Sequence, residues 1–536
     1  MAKRYRPVDR DQQFLLPVSM TDWLPDDHLV WFIIDAVDRL DTGAFHTRAR
    51  LGGVGRAGYD PDMLLTLFVY AMAHGERSSR TIEKLCRTDV AFRIICAQDV
   101  PDHTVLARFR QDHEQALADL LTATLRLAAQ MGMIRLGVVA FDGTKIAANA
   151  AMAANRGEDG LRELAEQYLA GAAETDAVED ALFGDARGDE PPPDLRDRTR
   201  RRQRIQQALD EIAGRNAAAD QLTEAEQAAA AEYTAALSAA ATGQAPGPAG
   251  RTPKAADPVT VAHLRWQRAH AKAQASYDAW HAKAATGRKP PGSKPLPPDE
   301  HTTVAAARAA YDQAVAHAAS NRSEQANANR SEQANTNLTD PQSRLLKTRT
   351  GWIQGYNCQT ALSEDQFILH ADATQDANDV NQFEPTMTAV TDLAADLTDH
   401  TGRDDLTIGT MLGDAGYDSH HNLTLQGPDR LIPTHTRRDL AHAATTQPAV
   451  GDPPDDATPR QAMDHRLRTK HGHQLYQRRS PQVEAPNGWL KDRRGLRHFS
   501  RRGQAAARSE LRFAAAVTNL LRLHNLGTTT HQPATT

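Results

Sequence analysis

Cysteine is scarce in this chain: there are three in 536 residues (Cys86, Cys96 and Cys358), with no Cys-x-x-Cys pair. That excludes a disulfide-stapled scaffold and points to a reducing compartment. Long apolar runs are lacking too. Runs such as Leu29 to Ile34 fall far short of the ~20 residues needed to cross a bilayer. Lys3, Arg4 and Arg6 make a basic start with no apolar segment behind it, so no secretory signal is expected. Gly and Pro, 33 and 28 residues, stand near their ordinary share, which excludes collagen-like and Pro-rich filaments. The remaining composition suits a globular protein: 40% hydrophobic against 24% charged residues can bury a core, over a length that fits about three or four domains. The expectation is a soluble, cytoplasmic protein without membrane attachment.

There is no overall excess of positive charge either, since the formal net charge is −6. The distribution is uneven, however. Between Arg466 and Arg512 thirteen Lys or Arg stand against three acids, Glu484, Asp492 and Glu510. Such a segment is either a solvated charged face or a phosphate-binding surface, and charge alone does not decide.

Residues 1–115 read as helical. Asp60-Pro61 opens an apolar run closed by Gly75, with Asp60 as cap and Pro61 at the first helical position. Further short helices are expected from Ser78, over 90–96 and from Asp102. Arg77, Arg80, Arg108 and Arg110 among them suit a small DNA-binding bundle or a plain helical scaffold equally. Residues 114–131 predict a helix. The valine-rich run 136–141, ending at Asp142-Gly143, predicts a buried strand with a carboxylate at its C-terminal end. From 152 to 338 the composition shifts to Ala, Gln, Glu and Arg, with thin apolar stripes that predict a helical insertion broken at 191–193, 244–250 and 289–298. It contains a short tandem repeat, NRSEQANA at 321–328 and NRSEQANT at 329–336, which reads as a duplicated linker. Two runs, 352–362 and 366–373, then predict a hairpin. A helix is expected over 378–397, strands over 406–412 and 431–433, loop over 436–460, a last helix over 505–526 and a disordered tail at 527–536. The fold class is therefore α/β, a mixed sheet with a helical N-terminal domain and a long helical insertion.

Cutting or transferring a DNA phosphodiester requires an activated nucleophile on one side and a neutralised leaving oxygen on the other, which two divalent ions ~4 Å apart supply together. Mg²⁺ sits on carboxylates and phosphate oxygens, so the chemistry needs acids that are distant in sequence and close in space. Asp142 and Asp414, each after a predicted strand, and Glu484, inside the basic segment, are the candidates. Either aspartate equally suits a simple turn. His420-His421 and His471-Gly472-His473 lack the companions of a zinc site and read as solvated.

Further motifs occur in order: Leu16-Pro17, Asp22-Trp23-Leu24-Pro25, Gly58-Tyr59-Asp60-Pro61, Arg77-Ser78-Ser79-Arg80, Pro101-Asp102-His103, Phe141-Asp142-Gly143-Thr144-Lys145, Asp340-Pro341, Gln354-Gly355-Tyr356-Asn357, Thr374-Gln375-Asp376-Ala377-Asn378-Asp379 and Gly413-Asp414-Ala415-Gly416-Tyr417. They end in Tyr476-x2-Arg479-x4-Glu484-x6-Lys491 and Arg494-Gly495-Leu496-Arg497. With these motifs the chain, outside 152–338 and its last ten residues, resembles the DDE transposases of bacterial insertion sequences. The resemblance is to the four/five-like superfamily and most closely to insertion-sequence family 1182, with its InsH-like N-terminal domain.

The resemblance implies an RNase H-like core in which Asp142, Asp414 and Glu484 hold two Mg²⁺ ions per site, with Mn²⁺ able to substitute. It implies that Tyr476, Arg479, Lys491, Arg494 and Arg497 contact DNA, that the partners are double-stranded element ends and target DNA, and that a homodimer joins paired ends. On a continuous helix Glu484 and Lys491, seven residues apart, share a face, and Ser480 caps that helix with Pro481 at its first position. The family often has proline directly after the glutamate. Here it stands at Pro486, after Ala485, where it predicts a kink. Tyr476 equally suits packing. Two other functions use the same residues: a relative that only binds DNA, and a metal-dependent nuclease without strand transfer.

Overall fold

The computed structural model describes residues 19–47, 58–157, 198–243, 248, 252–253, 255–285, 293–320, 336–348, 350–434 and 437–530. Leu16-Pro17, the breaks at 191–193 and 244–247, the repeat up to 335 and the tail from 531 lie outside them. The chain forms two compact units, Asn155–Leu338 and the remainder on either side of it.

In the larger unit, helices come first: α1 (Leu29–Arg39), α2 (Gly43–His46), α3 (Pro61–Ala73), α4 (Ser79–Thr88), α5 (Val90–Ile95), α6 (His103–Asp112) and α7 (Glu114–Gln130). Their starts follow the sequence signals. Asp60, Ser78, Asp89 and Asp102 each accept a backbone N–H of the first turn, so the exposed ends of these short helices are satisfied locally. α3 buries most of its residues, including Leu65, Leu67, Phe68 and Met72. These helices share one apolar core with the sheet behind them.

The sheet is mixed. Strand β1 (Val138–Ala147) is central. After the second unit, which contributes its own two-residue ladder β2 (Asn155–Arg156) and β3 (Thr336–Asn337), come β4 (Arg344–Thr348), β5 (Gly351–Leu362), β6 (Ile368–Thr374), β7 (Thr410–Leu412) and β8 (Asp429–Leu431). The order is β4-β5-β1-β7-β8, with β6 also on β5. β5 is antiparallel to β1, β4 and β6, while β7 is parallel to β1 and to β8.

Several expectations are corrected here. β1 does not stop at Asp142-Gly143: β5 pairs with it from Ala140↔Leu362 to Ala147↔Gly355, so ladder bonds carry it onward and Asp142 lies within the strand. The strand expected over 406–412 is confined to β7. β4 was not anticipated; it forms because the start of β5 offers it an open edge. Residues 436–460 are not all loop. They include α12 (Arg437–Thr446), and α13 (Pro459–Arg468) starts in a capping box between Thr458 and Gln461 with Pro459 at the first turn. Two further helices, α14 (Lys470–Gln477) and α15 (Arg479–Gly488), precede the last, α16 (Gln504–Thr530), whose helical course continues past 526 into the stretch expected to be disordered. Helix α11 (Phe383–Thr401) follows β6, within the region where a helix is expected.

The second unit consists of long helices, α8 (Arg198–Ala241), α9 (Pro258–Ala285) and α10 (Thr302–Ser320). Its apolar clusters are small: Ala230, Tyr233, Leu237, Ala256 and Val261 form one of them. Stacking of Trp266 on Tyr311 at 6.0 Å, with Arg308 over the Trp266 ring at 4.7 Å, adds to that thin seam.

Within the larger unit, buried arginines join early and late segments. Arg77 Nη1 lies 2.6 Å from Glu510 Oε1, and Glu510 also accepts the Ser500 backbone N–H and hydroxyl, both at 2.9 Å. Removing one partner of such a pair strands the other charge out of water. Glu510→Ala is expected to cost about 3–5 kcal/mol, read as a fall in the urea midpoint of unfolding.

Candidate active site

β1 and β7 run side by side, and their ladder ends at Ala140↔Leu412. Asp142 and Asp414 each lie two residues beyond that pair, so the two strands deliver them together where the sheet opens. Arg479, the first residue of α15, closes the opening. Its Nε and Nη2 donate to the Phe141 carbonyl at 3.1 and 2.8 Å. Nη2 also donates to Asp142 Oδ1 at 2.8 Å and lies 3.5 Å from Asp414 Oδ2. One cation therefore touches both carboxylates.

The aspartates are fixed by further bonds. Asn487 Nδ2, two turns along α15, donates to Asp142 Oδ2 at 2.7 Å, while Asn487 Oδ1 accepts from Thr360 Oγ1 at 3.2 Å. Asp414 Oδ1 accepts the Gly416 backbone N–H at 2.8 Å and so caps the 3₁₀ turn Ala415–Tyr417. Burial, opposed by Arg479 and reinforced by Asp414, leaves the Asp142 carboxyl above the ordinary aspartate range. Burial also works against the charge of Arg479, yet Asp142 and Asp414 together hold its pKa above the usual value. Tyr417 is pushed upward by burial, then by Asp379, Asp414 and Asp142.

The remaining predicted residues stand as follows. Glu484 is exposed on α15 and accepts from Ser480 Oγ. Ser480 is thus engaged one turn along the helix and does not cap it; α15 starts at Arg479 with no side-chain cap. The helix passes through Pro486 and widens into a π-helical turn, Trp489–Arg493. The wider turn rotates Lys491 away from the face that a continuous α-helix would give it with Glu484. Lys491 Nζ donates to Thr144 Oγ1 on β1, and burial lowers its pKa. Tyr476 is 8% exposed and, with Leu440, His473, Arg479 and Ser480, lines a cavity of about 260 Å³. Arg494 is buried; its Nη1 donates to the carbonyls of Met72, at 3.0 Å, and Ala73, and burial lowers its pKa to about 10. Arg497 is exposed and pairs with Asp492.

Sequence reading gave no role to Asn487, Thr360 or Asp379. A neutral amide three residues after a glutamate carries no signal of its own; only the strand register places it against Asp142. Of the N-terminal arginines, Arg77 and Arg110 turn inward, Arg110 donating to the Arg77 carbonyl and to Ser79 Oγ, both at 2.8 Å, while Arg80 and Arg108 are exposed.

The donors around Arg479 are hard carboxylate oxygens that already converge on a positive group, which fits a divalent cation such as Mg²⁺. Among the described residues, three ligand atoms fall within 4.8 Å of one another at His46, Asp60 and Asp62 and at Glu83, Asp102 and His103; Asp142, Asp414 and Glu484 are not such a group. In both groups the acids already serve as helix caps or pair with the histidine of the same group. Among the described residues no helix is long and apolar enough to cross a membrane.

Residues 18–112 match a family described as a transposase domain (DUF772), and residues 453–524 match one described as a transposase DDE domain. The first spans the helices through α6; the second spans α13–α15 and most of α16, including Arg479, Glu484, Asn487 and Lys491. No curated protein and no solved structure matches the chain. A transposase domain at each end of one compact unit indicates a transposase, a class of protein that acts on DNA.

Proposed function

We propose that the chain is a DDE transposase with an RNase H-like core, which binds the ends of an insertion sequence of the family-1182 type, cleaves there, and transfers the 3′-OH strand into target DNA. The observation that carries the reading is the convergence of Asp142 and Asp414, from parallel neighbouring strands, on one cationic group. The strand order supports the RNase H-like assignment: three antiparallel strands (β6, β5, β1) followed by two parallel ones (β7, β8).

In this reading Asp142, Asp414 and Glu484 would hold two Mg²⁺ ions, or Mn²⁺ in their place, whose charge would be supplied to the attacking and leaving oxygens. The chain's own residues do the positioning. Asn487 and Thr360 fix the angle of Asp142. Arg479 gives the carboxylates a counter-charge in the absence of DNA and offers its guanidinium to a phosphate when DNA arrives. Lys491 stands next to Asp142 on the β1 side and binds a backbone phosphate, while Tyr476, Arg494 and Arg497 belong to the same basic segment. In-line displacement then depends on placement and charge neutralisation. Two copies of the chain join paired ends, in the cytoplasm.

Excision of a marker flanked by the native sequences beside this gene, with the protein supplied in trans, tests the reading. Asp142→Asn, Asp414→Asn or Glu484→Gln is expected to abolish Mg²⁺-dependent excision and leave DNA binding within a few-fold. Cutting by all three variants overturns the assignment, and cutting without joining identifies a nuclease. Lys491→Ala is expected to weaken binding and lower the salt slope by about one phosphate contact, measured by binding titrations across salt concentrations.

Protons compete with the cation for Asp142. Its raised pKa means that the folded state holds this proton more tightly than the unfolded chain. The group's contribution to stability is therefore present at low pH and lost as pH rises through the folded value. A carboxyl-carbon NMR titration is expected to place Asp142 above ordinary aspartates, and Arg479→Gln to move it higher still, because the opposing cation is gone.

A further inference from the structure

Asp379 follows β6 and precedes the 3₁₀ turn Val380–Gln382, far in sequence from Asp142 and Asp414. Its carboxylate nevertheless lies against the glycines that follow them. A Cβ added to Gly143 would stand 2.3 Å from Asp379 Oδ1. A Cβ added to Gly416 would stand 2.9 Å from Asp414 Oδ1 and 3.4 Å from Asp379 Oδ2. Any larger residue at 143 would fill the place the carboxylate occupies, and one oxygen from each of two aspartates borders the same side of Gly416.

The two oxygens of Asp379 are treated differently. Oδ1 accepts from Asn357 Nδ2 at 2.8 Å and from Gln359 Nε2 at 2.6 Å. Gln359 Oε1 in turn accepts from the Tyr417 hydroxyl, which fixes the amide's orientation and ties it to the Asp414 loop. Oδ2 accepts no hydrogen bond among the described residues, and no Lys, Arg or His pairs with Asp379 there. Its clamps are neutral amides, so they set its aim without cancelling its charge. The cation of the cluster, Arg479, is placed on Asp142 and Asp414. A partly buried carboxylate with one oxygen locked and the other left toward a second acid is unfavourable by itself and favourable beside a cation. Amides that orient a carboxylate in this way are the usual outer support of an oxygen-ligated metal.

We propose that Asp379 is a further metal-facing carboxylate of this site, presenting Oδ2 beside Asp414 to the divalent cation; this rests on the metal-dependent reading above. Gly143 and Gly416 are then needed as the space in which that carboxylate sits. Asn357, Gln359 and Tyr417 are positioning residues that act through it.

The test is Mn²⁺ binding to the full-length protein, followed by the electron paramagnetic resonance signal of the free ion. Asp379→Asn keeps an oxygen for the two amides and removes the charge. Asp376→Asn removes the same charge three residues away, where Asp376 meets Gln382 Nε2 instead. Asp379→Asn is expected to weaken Mn²⁺ binding by about tenfold or more, as Asp142→Asn and Asp414→Asn do, with Asp376→Asn within about twofold. If Asp379→Asn behaves like Asp376→Asn while Asp142→Asn and Asp414→Asn lose the ion, the proposal is overturned and the metal-dependent reading stands. If Asp142→Asn and Asp414→Asn also bind normally, the metal-dependent reading falls and the proposal with it. Should Asp379→Asn fail to fold by circular dichroism, Fe²⁺–ascorbate cutting of the wild-type backbone decides. Cuts near 379 together with those near 142 and 414 support the proposal, and cuts near 142 and 414 alone overturn it.

Discussion

Two aspartates carried side by side, Asp142 largely out of bulk water and Asp414 at its border, repel each other, and much of this site is arranged around making that tolerable. Asp142 and Asp414 come together because β1 and β7 are parallel neighbours whose ladder ends just before them. Once the register is set, their proximity is not adjustable. What remains adjustable is compensation, and α15 supplies it from one end with the Arg479 guanidinium and from the other with the Asn487 amide. These bonds join the helix to β1 beside its buried residues Val483 and Pro486. A charged site and a structural joint are thus the same set of contacts.

Much of the architecture was legible in the residues. Asp60-Pro61, Ser78 and Asp102 mark helix starts because a short side chain that satisfies a free N–H leaves a local signature. β5 and β6 were legible as apolar runs about a tight turn, and the change to Ala, Gln and Arg at 152 marks the beginning of the second unit. Where reading failed, the deciding partner was remote. Nothing local tells β1 to continue past Asp142-Gly143; β5, two hundred residues later, does so. The helix over 437–446 is an exception, since its own Ala, Leu and Arg favour it; the Pro and Asp clustered at 448–456 hid that signal. At the site, Asp142 and Asp414 were visible as acids after apolar runs, while Asn487 and Thr360 were not, because an amide and a hydroxyl gain meaning only from the strand register.

The basic segment shows how sequence charge and spatial charge diverge. From composition it reads as one phosphate-binding stretch, but its members face different ways. Arg479 addresses carboxylates, Arg494 holds the end of α3, Lys491 reaches β1, and Arg497 remains outside with Asp492. The π-helical turn after Pro486 redistributes them, since a widened turn changes the direction of each side chain beyond it. The cations of one sequence segment thus hold separate parts of the fold together.

The second unit interrupts the sheet at its centre. β1 has neighbours on both sides, and both, β5 and β7, are encoded only beyond the second unit, about 200 and 260 residues after β1 ends. At ordinary rates of translation that is a wait of roughly 10–40 s. For that interval the growing chain carries an apolar strand whose two edges have no partner, shielded only by the helices already made. Such an edge is a site for pairing with other chains, so the yield of native protein should depend on how fast ribosomes traverse the insertion, a quantity set by codon choice and not by any residue of the finished site.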